Sequence, residues 1–343
     1  MTIQATQTVS RSEAIAAQAQ RKLSLGGYWA CFLGIVWREV LRFLHQRERF
    51  FSALVRPLIW LFIFGAGFRN TLGVSIIPPY ETYVLYEAFI TPGLIGMILL
   101  FNAMQSSLSM VYDRETGAMR TLLVSPFPRS FLLLSKLLGG VSVALIQVFA
   151  FLFIGHIFFA WSNYSWDIHP PGISELKLVT LYSPPEFLKG IIDGVTEPVT
   201  TSLMTVPESM KTWIGYVTII PALLLAGLML GSLALFMSSV IKQLENFAGV
   251  MNFVIFPMFF ASSALYPLWR IREASPLLYE ICRVNPFSYA VELIRFALHG
   301  QLDTVSLCIV VGCTILFLGA AVYAYNPSKG LLGRRGGPGG PAA

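Results

Sequence analysis

The sequence predicts an all-α integral membrane protein with six transmembrane helices, and three observations carry that expectation. Of 343 residues, 55% are hydrophobic and 12% are charged, whereas a soluble domain carries about 25% charge. The mean hydropathy is +0.66. The apolar residues also fall in blocks long enough to cross a bilayer, which takes about 20 residues per helix. Lipid offers peptide groups no water, so such blocks span as helices with their hydrogen bonds closed internally.

Residues 1–28 open with a polar, Ala- and Gln-rich stretch expected to be loosely ordered. The apolar patch Tyr28–Trp37 is short and runs into Arg38, Glu39 and Arg42 rather than a small-residue cleavage site, so no cleavable signal is expected. Over 29–50 the pattern becomes amphipathic. Trp29, Phe32, Leu33, Val36, Val40 and Leu44 recur at three- and four-residue spacings, while Arg38, Arg42 and Arg49 occupy another face. That is the pattern of a helix lying in the membrane interface, although an ordinary packed helix would show it too.

Six spans follow at about 51–68, 88–111, 131–161, 214–240, 246–265 and 305–325. Arg56 stands near the start of the first and is able to snorkel. The third is longer than needed, which implies tilt or extension beyond the bilayer. Pro257 interrupts the fifth, where it removes one helical hydrogen bond and favours a kink. Residues 326–343, ending in GRRGGPGGPAA, are too rich in Gly and Pro to fold and read as a disordered tail.

Basic residues set the orientation. Sixteen of the 24 Lys and Arg lie in the N-terminal part through Arg56, the 112–136 link, Lys242 and the tail, against eight in the opposite segments. Positive residues stay inside, so both termini and the link are expected to be cytoplasmic. The 162–213 segment is then an external insertion, with prolines at 170, 171, 184, 185, 198 and 207. Trp161, Trp166 and Trp213 flank it as interface anchors. Residues 266–300 mix apolar positions with Arg270, Arg272, Arg283 and Arg295, too much charge to span. Short re-entrant helices broken at Pro276 and Pro286 fit better, since irregular backbone at membrane depth needs protein or water to satisfy it.

The link between the second and third spans is the most polar piece of an apolar region, reading MVYDRETGAMRTLLVSPFPRS from Met110 to Ser130. Ala118, Met119, Leu122 and Leu123 make a small apolar face at helical spacing, and Pro126 and Pro128 stop that helix. Connections between membrane helices usually take two to eight residues. This one takes about twenty, a length that points to docking.

At these residues the chain resembles the membrane subunits of type-2 ABC exporters, which include polysaccharide, nodulation-factor and drug export permeases. Their link reads Asp-Arg-Glu, a Gly two positions on, then Leu-Leu and Ser-Pro. Here those are Asp113, Arg114, Glu115, Gly117, Leu122, Leu123, Ser125 and Pro126. A second similar string, NPFSYAVELIR, contains Asn285, Pro286, Tyr289 and Arg295. A third lies around Ser262, Ser263 and Pro267, where relatives often carry Ser-Gly. The resemblance runs from about Trp29 to Tyr325, leaving out the 162–213 insertion. It implies that the link is a coupling helix seated in a cleft of a separate ATPase subunit, with Glu115 offering charge, Gly117 allowing close approach and the leucines filling the cleft. It further implies that the interface helix, with Trp37, Arg38 and Arg42, touches that subunit, and that the 266–300 region caps the exit. ATP and Mg would reside on the partner, with no cofactor on this chain. A second permease copy or a related permease would complete the pathway.

Other classes remain open on the residues alone. No GxxxxGK[ST] string is present, so ATP hydrolysis belongs to another chain or to no part of the mechanism. An ion-coupled secondary transporter would place ionisable residues at mid-bilayer. The candidates Glu87, Lys136 and His156 read as edge positions that reach water. A membrane-embedded enzyme would want HExxH or a similar cluster, but His45, His156, His169 and His299 fall in different segments. Four isolated cysteines, Cys31, Cys282, Cys308 and Cys313, form no CxxC. Basic residues beside apolar runs encode topology rather than nucleic-acid binding. Gly227 and Gly231 form a GxxxG, a close helix contact within or between protomers.

Overall fold

Prolines, glycines and short polar side chains decide where this apolar chain stops being helical. A computed structural model describes residues 25–45, 47–68, 79, 86–115, 127–161, 176–177, 202–203, 208–241 and 243–324. The first helices are α1 (Leu25–His45), α2 (Arg47–Phe68), α3 (Tyr86–Glu115) and α4 (Arg129–Trp161). After them come α5 (Glu208–Val240), α6 (Leu244–Phe260), α7 (Leu268–Ala274), α8 (Pro276–Val284), α9 (Pro286–Leu298) and α10 (Thr304–Ala324). Within the 162–213 segment, β1 (Leu176–Lys177) pairs antiparallel with β2 (Ser202–Leu203), Leu176 opposite Leu203.

Among the described residues four helices are long and apolar enough to cross a membrane, over Ala88–Asp113, Ser130–Gly155, Val217–Val240 and Thr304–Ala324. The first predicted span contains the shorter apolar helix Ala53–Phe64, and the fifth overlaps another, Leu244–Phe260. Two predicted boundaries are corrected. The second span does not end at 111, because α3 continues through Asp113 to Glu115, where its polar side chains find partners on other helices. The fifth does not run to 265. Its helix closes at Phe260 with Ala261 N–H donating to Pro257 O at 2.9 Å. Ser262 Oγ then donates to Phe259 O at 2.6 Å, and a side chain replaces the next main-chain bond.

The later helices start where short polar side chains cap them. Ser275 Oγ accepts from Leu278 N–H before α8, Asn285 Oδ1 accepts from Phe287 N–H at 3.0 Å before α9, and Pro276 and Pro286 take the first helical position. Both are the expected cap chemistry, since proline's missing amide hydrogen is one no helix bond would use. Gly300 turns at φ 66° before Asp303, whose carboxylate accepts from the N–H groups of Val305 and Ser306 to begin α10.

α3 and α5 form the centre. α3 packs on α2, α4, α5, α6 and α9, and α5 packs on α3, α4, α9 and α10. Leu94, Leu100 and Met104 of α3 meet Leu223, Met229 and Leu230 of α5 in one apolar core with Phe259 and Phe287. α10 leaves Ile315, Leu316 and Tyr323 exposed, an outer surface suited to lipid. Gly227 and Gly231 lie at the α4–α5 crossing, where a Cβ on Gly227 would sit 3.0 Å from Val141 Cγ1 and one on Gly231 closer still to Leu137. The GxxxG is therefore a contact inside one chain.

Candidate functional site

The polar string that closes α3 is a helical continuation, so its side chains leave the helix on different faces. Asp113 turns to α4, where its Oδ2 accepts from Lys136 Nζ at 3.0 Å. The Lys136 side chain is 7% exposed and that of Asp113 18%. Lys136 is thus no edge residue reaching water. A buried ammonium is tolerable when a carboxylate and its hydrogen bond meet it. Two residues on, exposed Glu115 turns to α6, and its Oε1 accepts from Leu244 N–H at 2.8 Å. That amide opens α6, and the N-cap residue Gln243 gives it no side-chain bond. A carboxylate there meets both an orphan donor and the positive end of the helix dipole.

The end of α3 is therefore fastened to two other helices. Of the remaining coupling residues, Gly117, Leu122, Leu123, Ser125 and Pro126 lie outside the described residues, as does the Arg114 side chain. After the link, Phe127 and Phe131 stand edge-on to Tyr28 at 5.2 and 5.0 Å, joining its exit to the start of α1.

α1 runs against α4, and Gly139 makes room for it: a Cβ there would lie 3.2 Å from Glu39 Cγ. Glu39 is buried, with Arg38 Nη2 at 3.1 Å and Arg42 Nη1 at 3.6 Å from its carboxylate oxygens. Leu25, Trp29, Leu33, Trp37 and Leu44 form the exposed apolar stripe on the other side. Trp37 thus belongs to that outward stripe, and Arg38 and Arg42 form the charged rim between it and the bundle.

The second ensemble surrounds the corner after α6. Asn285 Nδ2 donates to Met258 O and Ala261 O, both at 2.7 Å, and so covers carbonyls that the broken helix leaves open. Ser263 Oγ donates to Ser288 O at 3.3 Å. Arg295, 3% exposed, donates from Nη2 to Ser263 O at 2.9 Å and from Nη1 to Glu292. Its guanidinium lies 4.2 Å over the ring of Phe89 on α3. Tyr86 closes the corner, its hydroxyl donating to Leu265 O at 3.1 Å. Ser262, Ser263, Asn285 and Arg295 thus converge on one corner. Tyr289 bonds Arg283 O at 2.8 Å, while Pro267 opens α7 and Pro286 opens α9.

Sequence reasoning missed the groups that join α3 to α4 internally. Asn102 and Gln147 are buried and hydrogen-bonded to each other, Asn102 Nδ2 also donating to Ile98 O at 2.9 Å. A lone amide inside each of two apolar blocks was the available signal, because such groups seek one another across helices. Among the described residues no group of His, Cys, Asp and Glu side chains is placed to hold a metal ion. What these side chains do is tie helix ends together.

The family model described as ABC-2 family transporter protein matches residues 66–324. The chain is 25% identical over 263 residues to a transport permease, ycf38, of Pyropia yezoensis, a match covering 76% of this chain and 72% of that one. The corresponding protein of Porphyra purpurea is 25% identical over 266 residues, covering 76% and 72%. Nodulation protein J of Rhizobium leguminosarum bv. viciae is 25% identical over 123 residues, covering 36% of this chain and 45% of its own.

Proposed function

Since the chain belongs to the ABC-2 family of transporter proteins, as a multi-pass membrane permease, we propose that it is the membrane subunit of an exporter driven by a separate ATP-hydrolysing chain. In this reading α2 and α6 complete six spans, both termini and the link face the cytoplasm, and the membrane is a prokaryotic inner membrane. α1 lies along the inner surface, and α7, α8 and α9 cap the outer end of the pathway. A second copy or a related permease encloses the other half of that pathway.

The observation that carries the reading is the fastening at the end of α3. Asp113 grips α4 and Glu115 grips α6 immediately before the 116–126 link. A subunit bound to that link would move three helix ends together. ATP binding closes the partner subunits, the link follows, and the helices shift access from the inner to the outer side. The test is the assembled transporter in proteoliposomes with its ATPase. Glu115→Lys, which reverses the charge at the α6 amide, and Gly117→Trp are each expected to lower ATP-driven export at least about tenfold, a loss of roughly 1.4 kcal/mol in coupling. Membrane insertion should be retained. Unchanged ATP-dependent export in both variants would overturn the coupling role.

The buried Lys136–Asp113 pair favours one second reading, an ion-coupled transporter in which that pair exchanges protons. Transport that persists without ATP and collapses with the ion gradient would select it.

A further inference from the structure

A cavity of about 70 Å³ lies between the end of α1, the start of α2 and the middle of α3, bordered by Phe43, Arg56, Pro57, Phe101, Asn102 and Gln105. Its polar groups are unbalanced. Arg56 is the cation, held with its guanidinium carbon 4.2 Å over the Phe101 ring rather than against a carboxylate. Among the described residues neither Arg56 nor Gln105 has a hydrogen-bond or ion-pair partner. Asn102 is fixed as the inner wall by its bonds to Ile98 O and Gln147. Behind it Gln147 Nε2 is fully buried with no acceptor. Among the described residues the cavity thus gathers a cation and amide groups with no carboxylate in its lining, and the rest of that lining is apolar.

Size and depth narrow what would fit. A space of 70 Å³ holds roughly five water-sized groups, close to the phosphorus and four oxygens of a phosphate. Arg56 stands one turn inside the apolar stretch Ala53–Phe64, beyond Arg47 and Arg49. From that depth an arginine side chain reaches lipid phosphates while its stem stays in hydrocarbon. Its planar fork matches phosphate oxygens in pairs. We propose that this cavity binds the phosphate of an anionic phospholipid from the leaflet that holds the α1–α2 junction. Arg56 supplies the charge, Gln105 a second donor, and Phe43, Pro57 and Phe101 the wall against the first carbons of the acyl region. The binding does not depend on which energy source drives transport.

The test uses the purified full chain in phosphatidylcholine nanodiscs containing a minor fraction of phosphatidylglycerol, with retained lipids read by native mass spectrometry. The wild-type chain is expected to retain phosphatidylglycerol roughly fivefold over its share of the bilayer, the effect of about one basic contact. Arg56→Gln should bring retention down to that share, Arg56→Lys should keep only part of the enrichment because it keeps the charge and loses the paired contact, and Gln105→Leu should lower it. Arg283→Gln, an exposed basic site elsewhere, should leave it unchanged. Excess inorganic phosphate should leave the lipid bound. Equal enrichment in Arg56→Gln, an equal loss in Arg283→Gln, or displacement by inorganic phosphate would each overturn the lipid site, the last by making the ligand a free anion. If Arg56→Gln does not fold, Arg56→Lys and Gln105→Leu decide: retention equal to wild type in either would overturn it.

Discussion

Asn285 holds three backbone groups with one side-chain amide. Its Nδ2 donates to Met258 O and Ala261 O at 2.7 Å each, its Oδ1 accepts from Phe287 N–H, and its own N–H donates to Ile281 O. Removing the side chain leaves two half-buried carbonyls bare and α9 without its cap. Asn285→Ala is therefore expected to cost about 2–4 kcal/mol, read as a lower thermal midpoint in detergent, with Asn285→Asp intermediate because it keeps the cap and loses the donations. A midpoint unchanged in Asn285→Ala would show that water or lipid satisfies those carbonyls. The residue itself was legible, through the NPFSY string, as were Ser262, Ser263 and Arg295. The roles of Asn285, Ser263 and Arg295 were not, because each depends on a partner 24–32 positions away in sequence, whereas Ser262 bonds Phe259 O within its own turn. The same holds for Lys136 and Asp113, visible as charges but separated by 23 residues, so that their pairing is a property of the fold.

At the scale of helices, apolar blocks located the segments well and their ends poorly. A block stops being apolar at one residue, but the helix stops where its last amides and carbonyls find other partners. This is why α3 outruns its apolar block to reach Lys136 and Leu244, and why α6 stops short of its own at Phe260. Helix contacts follow the same logic. Gly93 of α3 lies under the corner after α6, and a Cβ there would stand 2.6 Å from Ala264 O and 2.8 Å from its Cα. Backbone cannot step aside as a side-chain tip can. Gly93→Ala is expected to destabilise by about 1–3 kcal/mol or more. Gly34→Ala on α1, with nothing within 4 Å, should be neutral or stabilising by roughly 0.5–1 kcal/mol. Equal thermal midpoints for the two variants would refute the close approach at Gly93.

For the whole molecule, the bundle separates a well-packed centre from an apolar exterior, and the charge asymmetry of its connections predicts which way it sits. Single cysteines placed in the 116–126 link and in the 162–213 segment of a cysteine-free background should react with membrane-impermeant maleimide from opposite sides, the link only in inverted vesicles. Labelling of the link from the outside would overturn this orientation and remove the link from reach of any cytoplasmic ATPase. The fastening of α6 has a consequence at this scale. α6 packs chiefly on α3, and its two tips are pinned from different places, Leu244 by Glu115 of α3 and Met258 and Ala261 by Asn285, the residue that caps α9. In the proposed cycle, a displacement entering at the carboxylate tip reaches the amide tip at the far end of α6 along the helix itself, while the same pull acts on α3 and, through Asp113, on α4.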